Sequence, residues 1–300
     1  MHPPPSADLD ALRVAIAEHW ADHARDLPWR AASTTAWGVL VSETMSQQTP
    51  VARVAPSWTA WMERWPTPAD LADAPTADVL RAWGSLGYPR RALRLQECAA
   101  AIVERHGGVV PHEEDDLLAL PGVGPYTAAA VRAFAYRRRA VVLDTNVRRV
   151  LARTVGGRAA PPPGAPSRSE RELAAALLPD GDEASAEWNI GLMEFGALMC
   201  TARSPRCDQC PAAAACAWRR AGHPADEHAA RRRTQTYEGT DRQARGRVMA
   251  RLREAADGTL HSWAELVSVA STDPDQAQRA VATLLADGLV VERAGELRLP

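Results

Sequence analysis

The chain has 300 residues, of which 46% are hydrophobic and 24% charged, and its formal net charge is -2. That length accommodates two or three domains with cores of their own. Near-neutral net charge taken alone argues against a general polyanion binder, and no apolar run is long enough to span a membrane. All 35 cationic Lys/Arg positions are arginine, so the chain has no lysine. The start, MHPPPSADLD, lacks the basic and apolar regions of a signal peptide, and residues 1–7 read as a disordered tail.

The elements that follow are amphipathic helices. Leu9, Leu12, Ile16 and Trp20 recur at helical spacing after Asp8. TAWGVLVSETMSQQ reads as a helix that stops before Pro50. Helical patterns continue in VARVAPSWTAWMERW, DVLRAWGSLG and RRALRLQECAAAIVERH; the last holds Cys98, which reads as a buried thiol. DDLLALPGVGPYTAAAVRAFAYRRR reads as two helices joined at residues 120–125. DTNVRRVLART and SAEWNIGLMEFGALMC follow, with GGRAAPPPGAPS (156–167) as a loop between them. Residues 221–240 read as a linker. Residues 241–300 then read as three helices and a hairpin, a small winged-helix-like domain that either binds DNA or packs on the body.

Cys200, Cys207, Cys210 and Cys216 lie in one short run, C-x6-C-x2-C-x5-C. Four thiols so close together make a metal site rather than a disulfide framework, and reduced thiols point to the cytoplasm. With only one tight pair, the spacing favours a [4Fe–4S] cluster over a four-cysteine zinc site. LPGVGPYTAAA is the second motif. Gly122 and Gly124 permit a tight turn, and Pro125 suits a first helical turn. The free N–H groups there favour a phosphate, which makes this a helix-hairpin-helix that grips a DNA backbone. Two arginine-rich stretches add to that reading: Arg81, Arg90, Arg91 and Arg94, and a run from Arg132 to Arg153.

The hairpin, Asp144 before an arginine-bearing helix, and the cysteine loop together resemble the endonuclease III superfamily of base-excision DNA glycosylases over about residues 10–220. VSETMSQQT (41–49), GSLGYPRRA (84–92), LPGVGPYTA and LDTNVRRVLAR resemble its MutY-type adenine branch. The resemblance implies a mostly α fold with two helical subdomains within 8–220. One is about 28–138, with the hairpin at 118–136; the other joins 8–27 to 139–220 and carries the [4Fe–4S] loop. It implies a monomeric, nucleoid-associated enzyme acting on double-stranded DNA with an A:8-oxoguanine or A:G mispair. Glu43 would protonate the adenine and Asp144 would stabilise the sugar cation, a division of labour that two carboxyl groups with different pKa values can support. The apolar neighbours of Glu43 are expected to raise its pKa. Tyr126 and Asn146 match positions near the sugar. Tyr126 stands where strand-cleaving members place a lysine, and a lysine-free chain cannot form a lysine Schiff base. Gln47, Gln48 and Tyr88 match residues at the opened base stack, and Trp29 and Arg30 match a pocket-lining segment. Arg203 and Arg206 would reach phosphate.

Ser46, Pro89 and Ile190 depart from the family pattern, and residues 241–300 are too short for the Nudix-like domain of familiar members. Two rival readings remain open. One is a thymine mismatch glycosylase of the same fold. The other is a non-catalytic DNA-binding protein with a structural metal.

Overall fold

The computed structural model describes residues 6–231 and 236–300, with side chains from Asp8 onward. Fifteen α-helices are present among the described residues. They are α1 (Ser6–His23), α2 (Ala36–Ser46), α3 (Val51–Arg64), α4 (Pro68–Ala72), α5 (Thr76–Trp83), α6 (Arg90–His106), α7 (Glu114–Leu118) and α8 (Pro125–Phe134). After them come α9 (Thr145–Thr154), α10 (Arg168–Leu177), α11 (Asp182–Leu198), α12 (Ala217–Arg220), α13 (Asp241–Glu254), α14 (Trp263–Ala270) and α15 (Pro274–Ala286). Strands β1 (Val291–Arg293) and β2 (Glu296–Arg298) pair antiparallel. No helix among the described residues is long and apolar enough to cross a membrane. The N-terminal tail expected at 1–7 is described only from Ser6, where α1 already begins, and 232–235 of the expected linker lie outside the described residues.

The chain divides into two compact units. The first holds the described parts of 1–39, 112–118 and 124–233. Its core joins Leu12 and Ile16 of α1, Val147, Val150 and Leu151 of α9, and Trp188, Leu192 and Phe195 of α11. Two glycines let α11 sit close to its neighbours. A Cβ on Gly191 would lie 2.8 Å from Ile16 Cγ2, and one on Gly196 would lie 2.7 Å from Asn146 Cβ. The boundary differs from the sequence expectation, because α8 belongs here and not with the 40–111 helices. Its apolar face carries Tyr126 and Ala133, which pack with Val142 and Met193.

The second unit holds 40–111, 119–123 and the described residues of 234–300. Its tryptophans stack edge to face: Trp61 lies 4.6 Å from Trp65 and 5.7 Å from Trp83. Helices α13, α14 and α15 pack against one another, burying Val248, Leu252, Leu266, Val281 and Leu284. Buried Cys98 is a core thiol, its pKa pushed up to about 12 by burial.

Three helices escape the periodicity reading, among them the single turn α12 after the cysteine loop. Helix α4 is five residues long, held by a capping box between Thr67 and Asp70. Helix α10 starts with a capping box between Ser167 and Glu170, at the end of the proline-rich stretch.

Candidate active site

Asp144 is the N-cap of α9. Its Oδ1 accepts from the Val147 backbone N–H at 2.6 Å, and its Oδ2 accepts from Asn146 Nδ2 at 2.8 Å. Protein atoms crowd the carboxyl group although the residue keeps some exposed surface. Burial pushes its pKa above the usual aspartate range, against the opposing pull of Val147, Asn146 and Arg149. Asn146 Oδ1 in turn accepts from Arg149 Nη2 at 2.7 Å.

Arg149 and Arg153 then tie α9 to the cysteine loop. Arg149 Nε donates to the Cys200 carbonyl at 2.8 Å, and its Nη2 donates to Gly196 O. Arg153 is 4% exposed and donates to the carbonyls of Thr201 (2.7 Å) and Ala202 (3.1 Å). Its Nη1 also lies 3.4 Å from Cys200 Sγ. Cys200 and Cys210 border the core of this unit. Burial first, then the neighbouring thiols, pushes the Cys210 pKa up to about 11. No three His, Cys, Asp or Glu side chains among the described residues converge on a single ion-sized site. Arg203 and Arg206 are exposed on this loop.

Glu43 belongs to the second unit. It lies on α2, is 8% exposed, and follows the fully buried Leu40 and Val41. Just beyond the end of α2, Gln48 takes the left-handed backbone (φ 55°), and Tyr88 does the same (φ 48°). Such backbone is costly for a side-chain-bearing residue and persists only where surroundings enforce it. Arg91 supplies the enforcement. Its Nη1 donates to the carbonyls of Thr44 (2.8 Å), Met45 (3.1 Å) and Gln47 (2.6 Å). Its Nη2 donates to Thr49 Oγ1 (3.1 Å), Leu86 O (3.3 Å) and Gly87 O (3.0 Å). Its guanidinium also lies 5.2 Å from the Trp83 ring and 5.6 Å from the Tyr88 ring. One side chain thus fixes both loops that carry Gln47, Gln48 and Tyr88. Burial lowers its pKa to about 10, which leaves it charged at neutral pH. Arg91→Met leaves these acceptors without their charged donor and is expected to destabilise the protein by about 3 kcal/mol. Urea unfolding measures this; a loss below about 0.5 kcal/mol, the scale of an ordinary surface substitution, would contradict the clamp.

The two hairpin glycines differ. Gly122 has φ 77°, and an added Cβ would lie 3.0 Å from Arg94 Cβ, so glycine is needed there twice over. Gly124 is extended, caps α8 ahead of Pro125, and faces open space. A cleft of about 260 Å³ beside Gly122 is lined by Thr44, Gln47, Arg90, Arg91 and Arg94.

The long arginine run is not the free cationic patch that its sequence suggests. Arg132 pairs with Glu114, Arg137 with Glu183, Arg138 with Asp182, and Arg148 with Glu170. Arg149 and Arg153 serve α9 and the cysteine loop as described. In the other stretch Arg81 pairs with Asp78 and Asp257, and Arg94 with Glu97.

Trp29 and Arg30 lie in a short 3-10 turn (Pro28–Arg30) and are half-buried. Arg30 Nη2 donates to Glu194 Oε2 at 2.8 Å, and the guanidinium sits 4.8 Å from the Trp20 ring. Arg25 forms a fork on the same carboxylate at 2.7 and 2.9 Å. Burial alone would raise the Glu194 pKa, but these bonds outweigh it and hold the carboxyl at about 2. A carboxyl depressed on folding adds stability above its ordinary pKa and loses it as pH falls through the folded value. Glu194 is therefore expected to contribute about 3 kcal/mol above pH ~5, lost on acidification towards pH ~2. Glu194→Gln should flatten that part of the stability–pH curve; an unchanged curve would contradict the assignment. The sequence hid Glu194 as one acid in an apolar helix, LMEFG.

The description that matches residues 41–176 is that of the HhH-GPD superfamily base excision DNA repair proteins. The chain is 52% identical to the adenine DNA glycosylase of Mycolicibacterium smegmatis over 276 residues, which is 92% of this chain and 91% of that protein. It is 53% identical to the adenine DNA glycosylase of Mycobacterium tuberculosis over 279 residues, covering 92% and 89%. Its structure matches that of a thermostable thymine-DNA glycosylase with a TM-score of 0.63 at 26% identity, over 72% of this chain and 98% of that one. Identity of this degree across nine-tenths of the chain, on a matching helical framework, shows that the chain belongs to the HhH-GPD superfamily of base excision DNA repair proteins, in its adenine DNA glycosylase branch.

Proposed function

We propose that the chain hydrolyses the N-glycosidic bond of adenine mispaired with 8-oxoguanine or guanine in duplex DNA. The observation that carries this reading is the 52% identity to an adenine DNA glycosylase along almost the whole chain. The state of Asp144 supports it. A carboxylate that accepts two hydrogen bonds in a crowded site is preorganised to face a developing cation. The buried Glu43 carboxylic acid donates its proton to a ring nitrogen of adenine. The C1′–N9 bond then breaks with its electron pair going to the base. Asp144 stabilises the oxocarbenium ion, and water adds to C1′ and gives up a proton. Asn146 orients Asp144, and Tyr126 lies near the sugar.

DNA must present adenine unstacked. Gln47, Gln48 and Tyr88 act at the opened stack, and the Arg91 clamp supports that role for their loops. Trp29 lines the base pocket; Arg30 supports the segment through Glu194. Gly122 and Gly124 offer the hairpin backbone to a phosphate, with Arg203 and Arg206 on the cysteine loop as further phosphate contacts.

Cys200, Cys207, Cys210 and Cys216 would hold a [4Fe–4S] cluster. Four thiols on one short loop, with only one tight C-x2-C pair, suit a cluster whose ligands attach to separate irons. When bound, the cluster supplies a rigid cross-link for the loop. Arg153 Nη1, 3.4 Å from Cys200 Sγ, would offset the charge of a cluster-bound thiolate.

Three duplexes test the reading: A opposite 8-oxoguanine, A opposite G, and T opposite G. Free adenine from the first two is expected. Thymine as the sole released base would overturn the proposal in favour of the mismatch-thymine reading.

A further inference from the structure

The helical segment at the C-terminus has no role in the reaction described so far. A module of three helices and a hairpin is usually expected to meet DNA through its third helix. Here that helix, α15, begins with Asp273 and Asp275, and its Arg279 pairs with Asp241. Helix α13 is different. It carries Arg242, Arg245, Arg247, Arg251 and Arg253.

Helix α13 borders the loop that carries Tyr88. A cleft of about 810 Å³ is lined on one side by Gln48 and residues 84–90, and on the other by Tyr237, Arg242, Arg245 and Arg253. Two ion pairs on Asp287 hold its rim, from Arg90 at 3.2 Å and Arg245 at 2.6 Å. Arg242 Nη1 donates to Tyr88 Oη at 2.8 Å. The same guanidinium lies 5.8 Å from the Tyr88 ring and 5.2 Å from the Tyr237 ring. Gly246, one turn further along α13, leaves room for Tyr237, since a Cβ there would lie 2.9 Å from its hydroxyl.

Tyr88 is therefore held from two directions. Arg91 holds the carbonyls of Leu86 and Gly87 just before it and lies 5.6 Å from its ring, and Arg242 takes the hydroxyl. The residue is 40% exposed and in a strained backbone conformation, so without both contacts its ring would sample many directions. We infer that Arg242 is a positioning residue that aims the Tyr88 ring, and that α13 is thereby part of the surface that opens the mispaired duplex. This rests on the reading of Tyr88 as a residue that enters the base stack.

A duplex with 2-aminopurine next to an A:G mispair tests it, because insertion of a ring unstacks the probe and raises its fluorescence. The full-length protein should raise the signal. Arg242→Met should lower the amplitude by at least half and weaken binding about tenfold, one hydrogen bond to a charged group, with most of the loss in Kd and not in the saturated rate of base release. Arg242→Lys, which keeps a cationic donor, should recover part of the amplitude. Tyr88→Phe removes a single hydroxyl and should reproduce Arg242→Met, and the double variant should lose no more than either single one. Multiplying losses in the double variant, or an amplitude indifferent to Arg242→Met, would overturn the inference while leaving the Tyr88 reading intact. No fluorescence rise with the wild-type protein would overturn the Tyr88 reading and the inference with it.

Discussion

Asp144→Asn is expected to fold normally and to release adenine about 1,000-fold more slowly, the scale on which a preorganised electrostatic contact acts. Asparagine caps a helix as well as aspartate does, so the bond from the Val147 N–H survives the substitution. The negative charge is lost, together with the acceptor for Asn146 Nδ2, and a neutral amide cannot stabilise an oxocarbenium ion. Asp144→Ala removes the cap as well and should cost about 1 kcal/mol of stability, so comparing the two variants separates capping from chemistry. Single-turnover release measures the rate, and thermal unfolding measures the cap. The pH profile carries a second signature. Burial raises the Asp144 pKa, so the acid side of the rate profile should bend above the ordinary aspartate range. Below that bend Asp144 is protonated and the rate falls. A rate within tenfold of wild type for Asp144→Asn would remove Asp144 from the reaction.

Glu43→Gln is the second large effect. Glutamine keeps the shape of the buried side chain but has no acidic proton to give to adenine. The expected loss is about 1,000-fold in release, within the range of general acid catalysis, with duplex binding held within a few-fold. A substrate whose base leaves readily as an anion should lose much less, because it needs no proton. Equal losses on both substrates would indicate damage to the pocket rather than a missing acid. Full release by Glu43→Gln would remove Glu43 from the reaction, and no base release even by the wild-type protein would favour the non-catalytic DNA-binding reading.

Local signals in the sequence carry through to local structure. The run RRALRLQECAAAIVERH is α6. Asp144 shows that capping and chemistry need not compete: it caps α9 and carries the candidate chemistry with the same carboxylate. Ser167-x-x-Glu170 is a legible helix start, masked by the prolines before it. Long-range pairing is another matter. Arg148 and Arg153 look like neighbours in a cationic stripe, yet one meets Glu170 and the other the carbonyls of the cysteine loop. Nothing in an arginine's local sequence says whether a distant acid or carbonyl will claim it. Arg91 is the strongest instance. Its six acceptors come from the end of α2 and the turn after it and from the separate loop before α6, so its role exists only once all have folded.

The central claim is hydrolysis by two carboxyl groups in a chain without lysine. Its most direct test is product analysis on the A:8-oxoguanine duplex, with borohydride present in parallel reactions. Free adenine and an alkali-labile site should form in equal amounts, the strand should stay intact until alkali is added, and borohydride should trap no protein–DNA adduct. A trapped adduct, a strand nicked without alkali, or a released base other than adenine would contradict it.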